Sequence, residues 1–235
     1  MKKLYSFIAA SVAAVLLWSC GPAEQGFTIE QNLQGLYTVN KATVAPEFSD
    51  TFIFVRNIDN YDLKTGDRAF LKLHYFYDAY SGKAPEWNIT EIIEKVPVRK
   101  LSAVADVDTS AYLTPLTGLQ PVDFFNDFYA LTWLRKNLQN VSVKYKGVSD
   151  GAEYAMTVRG VKDGYVELNL YIDAEESDKE TTDFLTFDVA DVKDFLSDEE
   201  KAQLGDTIKT KIYTKRMKNG AMQQWVIPGE SITHY

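Results

Sequence analysis

The chain has 235 residues, of which 46% are apolar and 13% aromatic, enough for a packed core and incompatible with wholesale disorder. Its 25 basic and 33 acidic residues give a net charge of −8, which repels phosphate backbones and argues against a nucleic-acid partner. A single cysteine excludes an internal disulfide.

Lys2 and Lys3 precede an apolar run, Leu4–Trp18. That run is too short for a spanning helix, which needs about 20 residues, and has the parts of a cleaved leader over residues 1–19. It ends in Leu17-Trp18-Ser19-Cys20, which resembles the lipobox of bacterial lipoproteins, although Trp18 stands where a small residue is usual. The resemblance makes Cys20 an acylated N-terminus and the membrane a partner. An ordinary leader would leave the position of this cysteine unexplained. Removing the leader leaves 23 basic against 33 acidic residues, a body of net charge −10. Residues 20–26 read as a tether, and its last six residues reach roughly 20 Å when extended.

From residue 27 to 101 the signals are those of strands, expected to close into a small OB-like barrel. Leu36–Val44 reads as a first strand and Thr51–Arg56 as a second, rich in β-formers. Lys64–Asp67 is turn chemistry. Arg68–Tyr80 alternates, with Leu71, Leu73, Tyr75 and Tyr77 on one face and Phe70, Lys72, His74 and Phe76 on the other. Trp87–Glu94 and Val96–Leu101 follow the loop Ser81–Pro85, with Pro97 favouring an edge.

Residues 102–119 lack sustained periodicity and read as a connector. Residues 120–235 repeat the β theme as an antiparallel β-sandwich with one wet face. Its strands are Leu138–Tyr145, Ala152–Val161, Tyr165–Asp173, Asp206–Lys215 and Ala221–Ile227, with hairpin turns at Asp163-Gly164 and Asn219-Gly220. Ser197 and Glu200 form a capping box that starts one short helix, Asp198–Leu204, ended by Gly205.

No catalytic constellation emerges. Gly147–Gly151 matches G-x-S-x-G around Ser149, but a nucleophile elbow needs a helix after it, and here a strand follows. The histidines, His74 and His234, lie in different halves, so neither a catalytic triad nor a zinc site is expected. The carboxylates between Asp173 and Asp194 lack the glycine and spacing of a calcium loop and read as a solvated acidic loop. No metal and no cofactor is expected. The aromatics Tyr75, Tyr77, Tyr80 and Trp87, on adjacent expected strands, are the candidate ligand contacts, against the plainer reading that they pack the barrel.

The layout resembles the NigD-like lipoproteins of Gram-negative anaerobes. The resemblance is carried by the lipobox cysteine, Leu63–Arg68 entering a long strand, Gly118–Val122 opening the second half, and Leu185–Val189 and Asp206–Lys209 near the end. The chain departs from that family in its long Ser81–Pro85 loop and in lacking a His-Asn pair near Tyr171. The resemblance implies an N-terminal OB-type domain, a C-terminal β-sandwich and an outer-membrane location, and it carries no activity onto any residue. The expectation is a non-enzymatic, lipid-anchored binding or scaffolding module with a protein or glycan ligand. The rival reading is an accessory that binds or takes up carbohydrate.

Overall fold

Strand-length runs of Val, Ile, Thr, Tyr and Phe account for the architecture, which is all-β as expected. The computed structural model describes residues 27–47, 51–107, 114–119, 122–123, 129–130, 132–205, 207–219, 221–227 and 231–232. The leader, the tether and Cys20 lie outside the described residues.

The first sheet is antiparallel, in the order β3-β2-β1-β4-β5, from β1 (Thr28–Asn40), β2 (Thr43–Pro46), β3 (Ile53–Phe54), β4 (Arg68–Asp78) and β5 (Glu86–Lys95). The single strand expected over 36–44 is split, because Lys41 takes a positive φ of 54° and turns the chain. The strand expected over 51–56 is cut to two residues because the following backbone leaves β2 for β5. The Arg56 N–H donates to the Trp87 carbonyl at 3.0 Å. The Asn57 side chain then brackets Ile89, donating to its carbonyl at 2.7 Å and accepting from its N–H at 2.8 Å. A side-chain amide thus stands in for a strand, bringing the two edges of the sheet together around Tyr37, Val39, Val44, Val55, Leu71, Leu73 and Ile89.

The second sheet has ten strands, with β12-β13-β15-β7-β11-β14-β6 as its main path. These are β6 (Val98–Lys100), β7 (Leu116–Leu119), β10 (Thr132–Arg135), β11 (Leu138–Lys146), β12 (Glu153–Lys162), β13 (Tyr165–Asp173), β14 (Glu180–Asp188), β15 (Lys209–Lys218), β16 (Ala221–Val226) and β17 (Ser231–Ile232). Two further strands, β8 (Val122–Asp123) and β9 (Tyr129–Ala130), pair with each other. The layers of the sandwich are therefore one sheet folded over its own core. Its ends approach where the Ser102 N–H donates to the Met156 carbonyl at 2.9 Å. β15 runs parallel to β13, since the connection between them passes through β14 and is long enough to return the chain in the same direction. The capping box is present, with the helix α1 at Asp198–Lys201. α1 sits over the bulge in β12, where Gly160 has φ +145° and a Cβ would lie 2.7 Å from Glu200.

Two expectations are corrected here. The acidic stretch 173–194 is not one solvated loop, because β14 runs through its centre with Leu185, Thr186 and Phe187 buried. Leu185 and Phe187 face the core and supply more apolar burial than the flanking carboxylates oppose. Part of the stretch read as a connector is strand β7, seated between β15 and β11.

The expected wet face of the second sheet is also covered. Asn140, Ser142 and Thr186 alternate out of phase with the core residues of β11 and β14, as solvent-facing residues would, yet they are at most 2% exposed. The first sheet lies on them. Arg68 Nη1 donates to Asn140 Oδ1 and to Thr186 Oγ1, both at 2.7 Å. Arg68 Nη2 pairs with Glu47 Oε2 at 2.6 Å, and Glu47 Oε1 accepts from Trp133 Nε1 at 2.9 Å. Around these polar groups pack Leu36, Phe70, Val96, Trp133 and Phe184. Removing one charge of a buried pair strands the other, which costs about 3–5 kcal/mol. Glu47→Gln is therefore expected to lower unfolding free energy by that order in urea titrations. A double variant that replaces Glu47 and Arg68 with apolar residues of similar volume is expected to lose much less.

Candidate functional site

Two hollows share Ser149, the smaller at the seam and the larger within the second half. One, of about 220 Å³, is lined by Glu94 at the end of the first sheet, by Pro97 in the chain leaving it, and by Arg99 on β6, Tyr154 on β12 and Asp183 on β14 of the second. The other, of about 490 Å³, lies between the β11–β12 turn and the residues around Lys179–Thr182.

Asp183 is the centre of the first hollow. It stands opposite Val143 on the core face of β14, which brings it beside Tyr145 one diagonal away. Its Oδ2 accepts from the hydroxyls of Tyr145 and Tyr154, and its Oδ1 accepts from Ser149 Oγ at 2.7 Å. The two phenol oxygens are 2.8 Å apart. Arg99 lies over the Tyr154 ring at 4.8 Å, a cation–π contact. Partial burial, and then the charge of Asp183, push the Glu94 carboxyl up, while burial lowers Arg99. The cluster therefore joins two carboxylates, a guanidinium and three hydroxyls, a set able to hold a small polar ligand by charge-assisted hydrogen bonds.

The residues singled out from the sequence fall elsewhere. Tyr75 and Trp87 meet with ring centroids 4.6 Å apart and planes tilted by 48°, and Trp87 packs against the barrel core. Tyr77 is half-buried, edge-on to Phe27 at 6.0 Å. Tyr80 is 68% exposed on the turn after β4. The four do not form one coplanar platform. Ser149 sits in the turn between β11 and β12 with Asp183, not histidine, as its partner. His74 faces Glu30 across the first sheet at 2.8 Å, and His234 lies outside the described residues. Among the described residues no group of three or more His, Cys, Asp or Glu side chains is placed to hold a metal, and no helix is long and apolar enough to cross a membrane.

No family model and no curated protein matches the chain. Solved structures share its fold. A protein of Parabacteroides distasonis provisionally described as toxin-related overlays with a TM-score of 0.56 at 13% identity, covering 84% of this chain and 92% of its own. A Bacteroides fragilis protein provisionally described as a lipoprotein overlays at 0.55 and 11% identity, covering 86% and 98%. A NigD-like immunity protein of Bacteroides caccae overlays at 0.48 and 14% identity, covering 84% and 91%. The fold is thus one already seen in Bacteroidales proteins, and none of these three carries an enzyme's name.

Sequence reading missed the Asp183 cluster because Asp183 was one of many acids in an apparent loop. The alternation of Asp183, Leu185 and Phe187 was the available signal. Nothing local, however, connects it to Tyr154 on β12 or to Arg99 on β6.

The phenols set a pH window. Burial, and then the hydrogen bond to Asp183, push Tyr145 up to about 12, and the same two causes push Tyr154 higher still. In the unfolded chain these phenols ionise near pH 10. The stability they contribute is therefore complete below pH 10, and the share of Tyr145 is lost as pH rises through about 12, that of Tyr154 at still higher pH. Asp183→Asn is expected to lower the Tyr145 midpoint towards that of the exposed tyrosines, read from ring-carbon shifts in a high-pH NMR titration.

Proposed function

We propose that this chain is a lipid-anchored protein of the NigD-like type in the cell envelope, held at the outer membrane through Cys20. Its body is a non-enzymatic binding module whose ligand sits in the seam cleft at Glu94, Arg99, Tyr154 and Asp183. In this reading the leader is 1–19, the tether 20–26, the first domain 27–101 and the second domain 120–235, with the stretch 102–119 joining them and lending β7 to the second sheet. The observation that carries the binding role is that residues from both halves line one cleft while the buried Glu47–Arg68 pair holds the halves together. A cleft with walls fixed in this way meets a ligand preorganised.

The fold shared with the Bacteroides fragilis protein supports the lipoprotein reading, as do the motif at Cys20 and the short leader. The non-enzymatic reading rests on the chemistry of Ser149. Its hydroxyl is hydrogen-bonded to a carboxylate already shared by two phenols, and among the described residues no imidazole is bonded to it to take the proton. The tilt of the Tyr75–Trp87 pair weighs against a stacked sugar.

Cys20→Ser is expected to abolish palmitate labelling and release the body into the soluble fraction. Labelling that persists in this variant would overturn the anchor. The body Gly21–Tyr235 is expected to show no turnover of chromogenic esters, peptides or glycosides, with or without calcium or zinc. In NMR screens of small polar compounds, hits are expected to perturb Ser149 and Tyr154 and to vanish in Arg99→Gln. Hits that map instead to Tyr75 and Trp87 would favour the carbohydrate reading.

A further inference from the structure

The start of β1 and the turn after β4 occupy one end of the first sheet. Thr28 stands opposite Asp78, and the Ala79 N–H donates to the Phe27 carbonyl at 3.0 Å. Because the strands are antiparallel, Phe27, the first described residue, lies at the end of the sheet towards which β4 runs, beside the turn at 79–85. The other end of β4 begins at Arg68, in the seam with the second half. The ten-residue rise between them is roughly 33 Å. A tether reaching roughly 20 Å therefore brings the Phe27 end to the membrane before any part of the seam.

This end is suited to a lipid headgroup layer. Phe27 and Tyr80 are 37% and 68% exposed, Tyr77 packs edge-on to Phe27, and Lys83 is exposed beside them. The turn satisfies its own backbone. The Tyr80 N–H donates to Asp78 Oδ1 at 2.9 Å, the Ser81 N–H and hydroxyl donate to the Asp78 carbonyl at 3.2 and 2.8 Å, and the Lys83 N–H donates to Ser81 Oγ at 3.1 Å. Such a turn can leave bulk water without orphaning these groups. Glu86 is paired with Arg56 at 2.6 Å, so the remaining charges of the turn, Asp78 and Lys83, cancel. A body of net charge −10 is otherwise repelled by anionic lipid.

We propose that this end of the first sheet docks on the phospholipid surface to which Cys20 is anchored, resting on the lipoprotein reading above. The Phe27 and Tyr80 rings enter the headgroup layer and the Lys83 ammonium meets phosphate, so the protein stands on the membrane in a fixed orientation with the seam cleft turned away.

The test uses the acylated full-length protein in phosphatidylethanolamine–phosphatidylglycerol vesicles. Acylation consumes Cys20, so Ala84→Cys, or Lys193→Cys in the second half, supplies a single thiol for a spin label. Oxygen is expected to collide with the label at position 84 more than a nickel complex does, with the order reversed at position 193. Adding Phe27→Ser and Tyr80→Ser is expected to reverse the order at 84 while palmitate labelling and circular dichroism stay unchanged. A water-like label at 84 in protein that still floats with the vesicles overturns the docking and leaves the anchor standing. Protein that neither takes palmitate nor floats overturns both. Shielding at 84 seen in cell envelopes but not in pure lipid also overturns it, pointing to a protein partner.

Discussion

The buried pair between Arg68 and Glu47 is the interaction on which the arrangement of the halves depends. Arg68 opens β4, Glu47 follows β2, and the network reaches Asn140 on β11, Thr186 on β14 and Trp133 on β10. Two ions withdrawn from water are tolerated only when their hydrogen-bonding groups are matched, and the amide, hydroxyl and indole supplied by the second sheet match the guanidinium Nη1 and the carboxylate, leaving Arg68 Nε without a partner among the described residues. The surrounding apolar residues exclude water and leave these polar groups few alternative partners. That makes the pair a device of register as much as of adhesion.

The same seam explains the candidate cleft. Val96 is buried among the seam residues, and the chain on either side of it carries Glu94 and Arg99 towards Asp183. Asp183 has a partly buried charge with three hydroxyl donors arranged around it, so its position is set by the second sheet alone. Arg99 is held on β6, which pairs with β14 in the same sheet, whereas Glu94, at the end of β5, is set by how the sheets meet. A ligand touching both sets would sense the docking of the halves, which ties recognition to the integrity of the Arg68 network.

The closing of the first sheet shows a similar economy. β3 is only two residues long, yet the barrel edge is carried onward by the Asn57 amide, which offers one donor and one acceptor to Ile89 as a strand residue would. In the second sheet, β7 and β10 flank β11 on one side and β14 on the other, leaving the central strand no free edge for aggregation along most of its length.

How much of this was legible in the chain varies with the range of the forces involved. Period-two alternation, the Asp163-Gly164 turn with both φ values positive, and the Ser197–Glu200 capping box are local, and each appears where the sequence places it. The all-β class and the shared fold were readable for the same reason. Alternation says which residues share a face, but it cannot say what covers that face. Asn140 and Thr186 are polar and out of phase with the core residues, yet they are buried where the first sheet brings Arg68 to them from 72 and 118 residues away. Likewise the carboxylates of 173–194 look like a loop until Leu185 and Phe187 have a core to enter. By itself the sequence determined the all-β class, the long alternating strands of the hairpins with their turns, and a lone cysteine after an apolar run. The tertiary structure alone decided which polar residues meet, because partners distant in sequence are selected by burial and hydrogen-bond satisfaction, which exist only once the two sheets are packed.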